Sequence, residues 1–143
     1  MSIQTIGVTT GSRVEFRDIT GEIAVVVRSS GVQSGVCYVY VPHTTAAVTV
    51  NESADPSVVA DIVAQLEVMV PQHGKYRHME GNSPAHIKAS LMGSSATLLI
   101  EGGKPVLGTW QGVFFCEFDG PRSRKVMVKV VPDGAAGQAT ERL

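Results

Sequence analysis

Residues 105–131 read PVLGTWQGVFFCEFDGPRSRKVMVKVV, and the fold turns on this stretch. Val113, Phe115 and Glu117 alternate on one side of an extended chain, as do Arg124, Val126 and Val128, which is the period of two that a strand requires. Asp119-Gly120-Pro121 between them is turn chemistry. The segment therefore predicts one strand over 105–118, a second over 124–131, and a hairpin tip carrying Asp119, Arg122 and Arg124. The alternation also aims Glu117 and Arg124 at a covered face, where a charge needs a partner.

The same pattern recurs upstream. ATLLIE (96–101) ends at Gly102-Gly103, VCYVYVP (36–42) follows Gly35, and AAVTVNE (46–52) follows His43-Thr44-Thr45, so strands are expected with His43 at a corner between two of them. Residues 2–10 alternate only partly, giving a modest first strand that Val14-Glu15-Phe16 extends or pairs with. Three stretches read as helix. Ile19, Ile23, Val26 and Val27 hold helical spacing up to Gly31, although the β-branched triplet Val25–Val27 favours strand. Asp55-Pro56 is a strong helix start, and Val58, Val59, Ile62, Val63, Leu66, Met69 and Val70 continue it to Pro71. A short helix starts at Ser83-Pro84 and ends at Gly93. Strands joined by tight turns, with two longer helices and one short one, predict a single α+β domain with a mainly antiparallel sheet.

Composition bounds the function. The 143 residues suffice for one domain, which at this size buries roughly 68–70% of its unfolded surface. Hydrophobic residues make up 43% and aromatics 6%, so the core is built from Val, Ile, Leu and Ala. Twelve basic against 13 acidic residues leave a net charge of −1, which argues against nucleic-acid binding and makes any phosphate recognition local. Cys37 and Cys116 lie in apolar runs and read as buried thiols in a reducing, cytoplasmic setting. No basic segment leads into an apolar one at the N-terminus and no run of 18 apolar residues occurs, so neither a signal peptide nor a membrane span is expected. Walker A, G-x-G-x-x-G and G-x-S-x-G sequences are all missing.

All four histidines fall between 43 and 86. His43 closes a strand, His73 and His78 lie in the polar loop PQHGKYRHMEGN (71–82), and His86 sits in the first turn of the short helix. Three imidazoles from separate elements form either an open metal site or a set of hydrogen-bonded side chains; their spacing matches no short ligand motif. The helix start offers backbone N–H groups at Ala85 and His86, beside Asn82 and Ser83, for an anion; the alternative is that Ser83 simply caps the helix. Glu117 reads as a base or ligand, and Arg122 or Arg124 as a phosphate fork, against a solvated hairpin tip. Trp110 reads as a core or interface anchor.

Taken together, VPHTTAAVTVNE, the Asp55-Pro56 helix start, YRHMEGNSPAHIKASLMG and GTWQGVFFCEFDGPRSRKV resemble the YjbQ-type family, often labelled secondary thiamine-phosphate synthases. The resemblance spans about residues 2–131, giving a single domain over 1–131; the last twelve residues, the polar PDGAAGQATERL (132–143), read as a flexible tail. It implies a β-sandwich-like core, a homotrimer with a polar site near the subunit interface, and a bound metal or anion beside the histidines. Its metal ligands would be His43, His78 and His86, the metal zinc or another transition metal, with Mg²⁺ open for the transferase reaction. Glu117, Asp119 and Arg122 would carry catalysis, with Asn82, Ser83 and Arg124 binding a small phosphorylated substrate. The implied reaction joins an aminopyrimidine diphosphate to a thiazole phosphate. Alternatives are metal-assisted hydrolysis of a small phosphorylated or acyl substrate, with Glu80 or Glu117 as base, and a non-catalytic trimer that binds a metal or metabolite.

Overall fold

The computed structural model describes residues 2–134. In chain order the elements are β1 (Gln4–Thr9), β2 (Glu15–Asp18), α1 (Thr20–Ser30), β3 (Ser34–Tyr40), β4 (Ala46–Glu52), α2 (Pro56–Met69), α3 (Ser83–Met92), β5 (Ser95–Glu101), β6 (Lys104–Pro105), β7 (Gln111–Glu117) and β8 (Ser123–Pro132). Every strand pairing is antiparallel. A five-stranded sheet runs β1-β8-β3-β5-β6 and a three-stranded sheet runs β2-β7-β4, which is the α+β, sandwich-like architecture expected.

The alternation seen in the sequence becomes layering. Cys37, Val39, Leu98, Val126 and Val128 of the larger sheet meet Val48, Val113 and Phe115 of the smaller one in a single core, closed by Ile19, Ile23 and Val27 beside and within α1. The opposite face of the smaller sheet places Ala47, Phe114 and Cys116 against Leu66 of α2 and Ala85 and Ala89 of α3. That two-sided burial is why β7 reads as the nearly continuous apolar run VFFC. In α1, burial overrides the strand propensity of the valine triplet: Val27 is fully buried, and Gly31 ends the helix at φ 75°, a left-handed conformation that glycine adopts without a Cβ penalty.

Four local expectations need correction. β7 and β8 are not a hairpin. β7 pairs with β2 and β4, whereas β8 pairs with β1 and β3, so Asp119-Gly120-Pro121 carries the chain from one sheet to the other. β2 likewise pairs with β7 and not with β1. The single strand expected over 105–118 divides into β6 and β7, one in each sheet, broken by the turn before Gln111, whose N–H bonds the Gly108 carbonyl. On α2 the stripe is narrower than its spacing implied: Leu66 and Val70 are buried, but Met69 is 60% exposed. The tail expected over 132–143 lies largely outside the described residues. Within them β8 runs to Pro132 and the Asp133 N–H bonds the Ser34 carbonyl.

Three segments thus pass between the sheets at one end of the sandwich: 10–14, 41–45 and 118–122. They are stitched together by main-chain bonds, Thr10 N–H to Arg122 C=O, Phe118 N–H to Thr45 C=O and Gly120 N–H to Arg13 C=O. A Cβ at Gly120 would lie 2.2 Å from the Ser12 carbonyl oxygen and 2.8 Å from Glu117 Cγ. Gly120→Ala is expected to cost about 1–3 kcal/mol, the usual range for overpacking, in a urea melt. Gly21→Ala, where a Cβ meets nothing within 4 Å, is the control, and equal midpoints for the two variants would refute the close approach.

Candidate functional site

The three crossings bring together most of the side chains singled out from sequence. Glu117 ends β7 and Arg124 opens β8, both facing the core, and they pair across the two sheets. Arg124 Nε donates to Glu117 Oε1 at 2.9 Å, and its Nη2 donates to Oε2 and, at 2.8 Å, to Thr45 Oγ1. Thr10 Oγ1 donates to Oε1 at 2.7 Å and the Asp119 N–H to Oε2 at 3.0 Å. Glu117 has no exposed surface and Arg124 is 7% exposed. Burial alone would raise the Glu117 pKa, but hydrogen bonds from Arg124, Thr10 and the Asp119 N–H, with the Arg124 charge, hold it below the usual carboxylate range. With about four acceptor sites and four donors, Glu117 has none left for a substrate proton. It holds Arg124 and the turn in place.

Asp119 extends this network toward solvent. It accepts from Asn82 Nδ2 at 2.9 Å and from Arg122 Nη2 at 3.1 Å, while Arg122 Nε donates to its main-chain carbonyl. Because its side chain is drawn to Asp119, Asn82 does not cap α3 with its oxygen; Oδ1 is buried without a partner. The Asn82 main-chain carbonyl instead takes the N–H groups of Ala85, at 3.0 Å, and His86, at 3.3 Å. The cradle expected from those two N–H groups is therefore already filled, and Ser83, the first helical residue, is not the cap.

His43 and His86 line one groove of about 400 Å³, with Thr44, Ala46, Ser90 and Ser94. The His43 ring accepts the Lys125 N–H at Nε2, 2.9 Å away. Burial, then the Arg124 charge, lower its pKa from the ordinary histidine value. His78 stands edge-on to His86 with ring centroids 5.3 Å apart, and its Nε2 is 3.7 Å from Glu80. Among the described residues no three His, Cys, Asp or Glu side chains converge on a point that would hold a metal, and the His43 nitrogen facing Lys125 is committed. The residues of one chain thus do not fit the transition metal that the resemblance implies.

Lys88 of α3 is 1% exposed, bonded to Glu67 and lying 5.8 Å from the Phe118 ring centroid; Arg13 also reaches Glu67, at 3.1 Å. This network fastens α2 and α3 to the first crossing. Cys37 and Cys116 are buried free thiols, and burial pushes the Cys37 pKa up to about 11 and that of Cys116 higher still, so both are inert as expected. Trp110 is 63% exposed and lies outside the core. Sequence reasoning missed Thr10, Thr45 and the Lys125 N–H. Nothing in the sequence marks them, because they meet the site only through crossings between sheets.

An antiparallel two-sheet α+β domain, with a histidine-lined groove where the sheets exchange strands, is the class that fold and site define. The chain belongs to the YjbQ family: the model described as "UPF0047 protein YjbQ-like" matches residues 4–133. A UPF0047 protein of Methanocaldococcus jannaschii is 52% identical over 87% of this chain and 90% of its own, and the YugU protein of Bacillus subtilis is 44% identical over 90% and 98%. Among solved structures, a YjbQ/UPF0047 protein of Clostridium acetobutylicum superposes with TM-score 0.88 at 52% identity, covering 90% of this chain and 99% of that one. A Sulfolobus solfataricus protein described as YbjQ-like and of unknown function gives 0.88 at 31% identity, covering 92% and 97%. No helix among the described residues is long and apolar enough to cross a membrane.

Proposed function

We propose that the groove binds a small phosphorylated substrate and that the chain acts as a thiamine-phosphate synthase-like transferase in a reducing, cytoplasmic setting. The observation that carries this reading is the pair of imidazoles, His43 and His86, that line one groove, with His43 bonded to the main chain of Lys125 just after the crossing that bears Arg122. In the reaction, the bond from the aminopyrimidine methylene carbon to the diphosphate oxygen breaks. Its electron pair leaves with pyrophosphate, and the thiazole nitrogen forms the new C–N bond. Such a step needs positioning and stabilisation of the departing charge more than it needs a protein nucleophile or base. Glu117 is saturated and Arg124 is locked to it, whereas the Arg122 side chain is 53% exposed and tied only to Asp119 in its own turn, so it is the arginine that could turn to a ligand. Asp119 and Asn82 tie the turn to the helix start, where Ser83 is the first helical residue. Hydrolysis fits less well, since the remaining base, Glu80, has a side chain 76% exposed. Incubation with aminopyrimidine diphosphate and thiazole phosphate, with chromatographic detection of thiamine phosphate, tests the reading. No product above the uncatalysed background would leave a metabolite-binding protein instead.

A homotrimer is part of the proposal. Among the described residues no layer covers the outer face of the larger sheet, where Val36, Tyr38, Tyr40, Leu99, Met127 and Val131 stand with Thr97 and Lys129 between them. Tyr38 and Tyr40 are each about half exposed and Leu99 is 60% exposed. An exposed face this rich in large apolar side chains is ordinarily an interface, and closed symmetry with copies of the same chain covers it. Sedimentation at micromolar concentration is expected to give about three times the chain mass of 15.1 kDa, and a monomer throughout that range refutes it.

A further inference from the structure

The Lys125 N–H is a ladder donor that has lost its strand. β8 lies between β1 and β3. Its pairing with β1 continues through Gly7 opposite Lys125 to Thr9 opposite Ser123, but its pairing with β3 stops at Tyr40 opposite Met127. Beyond Tyr40 the chain leaves for the other sheet, with the Val41 N–H bonded to the Ser94 carbonyl. The donor that would have met the continuing strand is taken by His43 Nε2 at 2.9 Å. A main-chain N–H can only donate. Nε2 must therefore offer a lone pair, so the neutral ring carries its proton on Nδ1. Arg124, the residue preceding Lys125, is locked to Glu117 and Thr45, which fixes the direction of that N–H.

We infer that His43 is held as the Nδ1–H tautomer by the Lys125 main chain and meets its ligand as a hydrogen-bond donor, making the groove an oxyanion site. Nδ1 has no protein acceptor among the described residues and is not among their buried unpartnered atoms, so it is accessible, on a ring that lines the groove. A phosphate or carboxylate oxygen is the group it takes. A metal ion is not, because coordination at Nδ1 would require the proton to move to Nε2, where it would face the Lys125 N–H. The inference rests on the groove being the ligand site, as proposed above, and says nothing of turnover.

Two-bond ¹H–¹⁵N correlation spectra of protein with ring-labelled histidine, near neutral pH, read the tautomer directly. Signals are assigned to His43 by their loss in His43→Gln. The expected result is a protonated Nδ1 and an unprotonated Nε2, the reverse of the tautomer an unconstrained neutral ring favours. Adding inorganic phosphate, then pyrophosphate, should shift the His43 Nδ1–H resonance, and one equivalent of Zn²⁺ should leave it in place. An Nε2–H ring at His43, or a Zn²⁺-induced shift there, overturns the tautomer assignment. A correct tautomer that responds to neither anion overturns the oxyanion site. Absence of thiamine phosphate synthesis with all three NMR results as expected counts against the reaction and not against this assignment.

Discussion

Arg124→Ala is expected to destabilise the protein by about 3–5 kcal/mol, the range found when one partner of a buried ion pair is removed. At roughly 2–4 °C per kcal/mol for a chain of this size, the melting temperature falls by about 6–20 °C. The cost arises because Glu117, with no exposed surface, keeps its charge while losing the donor that reaches both of its oxygens. Thr10 and the Asp119 N–H remain, and two neutral donors do not replace a guanidinium. The double variant Glu117→Gln with Arg124→Met removes both charges and should recover part of the loss, since the penalty lies in the orphaned ion. The pH dependence has a definite sign. Glu117 titrates below its unfolded value, so its contribution is present above the ordinary carboxylate range and disappears as pH falls through the lowered pKa. Wild type should thus lose stability on the acid side more steeply than the double variant. A melt of Arg124→Ala within 1 kcal/mol of wild type would falsify the assignment of this pair as the clasp between the sheets.

That pair also shows how far a sequence can be read. Placing Glu117 with Phe115 and Val113, and Arg124 with Val126 and Val128, needs only a period of two, and both side chains do face the core. The sequence does not say that they face it from different sheets. A seven-residue spacing around Asp-Gly-Pro is the normal mark of a hairpin, and local chemistry cannot distinguish a turn that returns to its own strand from one that passes to the next layer. The same ambiguity hid the position of β2, which depends on the path of 10–14, and split the stretch 105–118. His43 was visible as a corner residue. The role of its ring was not, because the Lys125 N–H is backbone and leaves no trace in side-chain pattern. At α3 the helix and its end at Gly93 were legible from Pro84 and the glycine. The cap was not, because Asn82 is drawn away by Asp119, which lies 37 positions further along. Stripe width on α2 failed for a related reason: helical spacing marks the residues able to face a core, and the area of the sheet beneath decides how many are covered.

Arg122→Ala is expected to lower the rate of thiamine phosphate formation by about 10²–10³, the usual effect of deleting one preorganised donor to developing negative charge. Arg122 is the appropriate cation to remove because its neighbour Arg124 is buried, so a rate measured on an Arg124 variant would be mixed with unfolding. The Arg122 side chain is 53% exposed and bonds only within its own turn, to the Asp119 carboxylate and carbonyl. An exposed pair of that kind contributes about 0–1 kcal/mol, so the melting temperature of the variant should stay within a few degrees of wild type. Asp119 keeps its second partner, Asn82, which leaves the helix start of α3 and the His86 side of the groove undisturbed. Lys104→Ala is the control: Lys104 is an exposed cation in the two-residue edge strand β6 and not on any of the three crossings, and its loss should leave the rate unchanged. If the effect comes from stabilising pyrophosphate as it departs, Arg122→Lys restores part of the rate, because a point charge survives where the planar fork is lost. Equal rates for Arg122→Ala and wild type would make the arginine a solvated turn residue. Equal losses for Arg122→Ala and Lys104→Ala would show that net positive charge, and not this side chain, draws the substrate in.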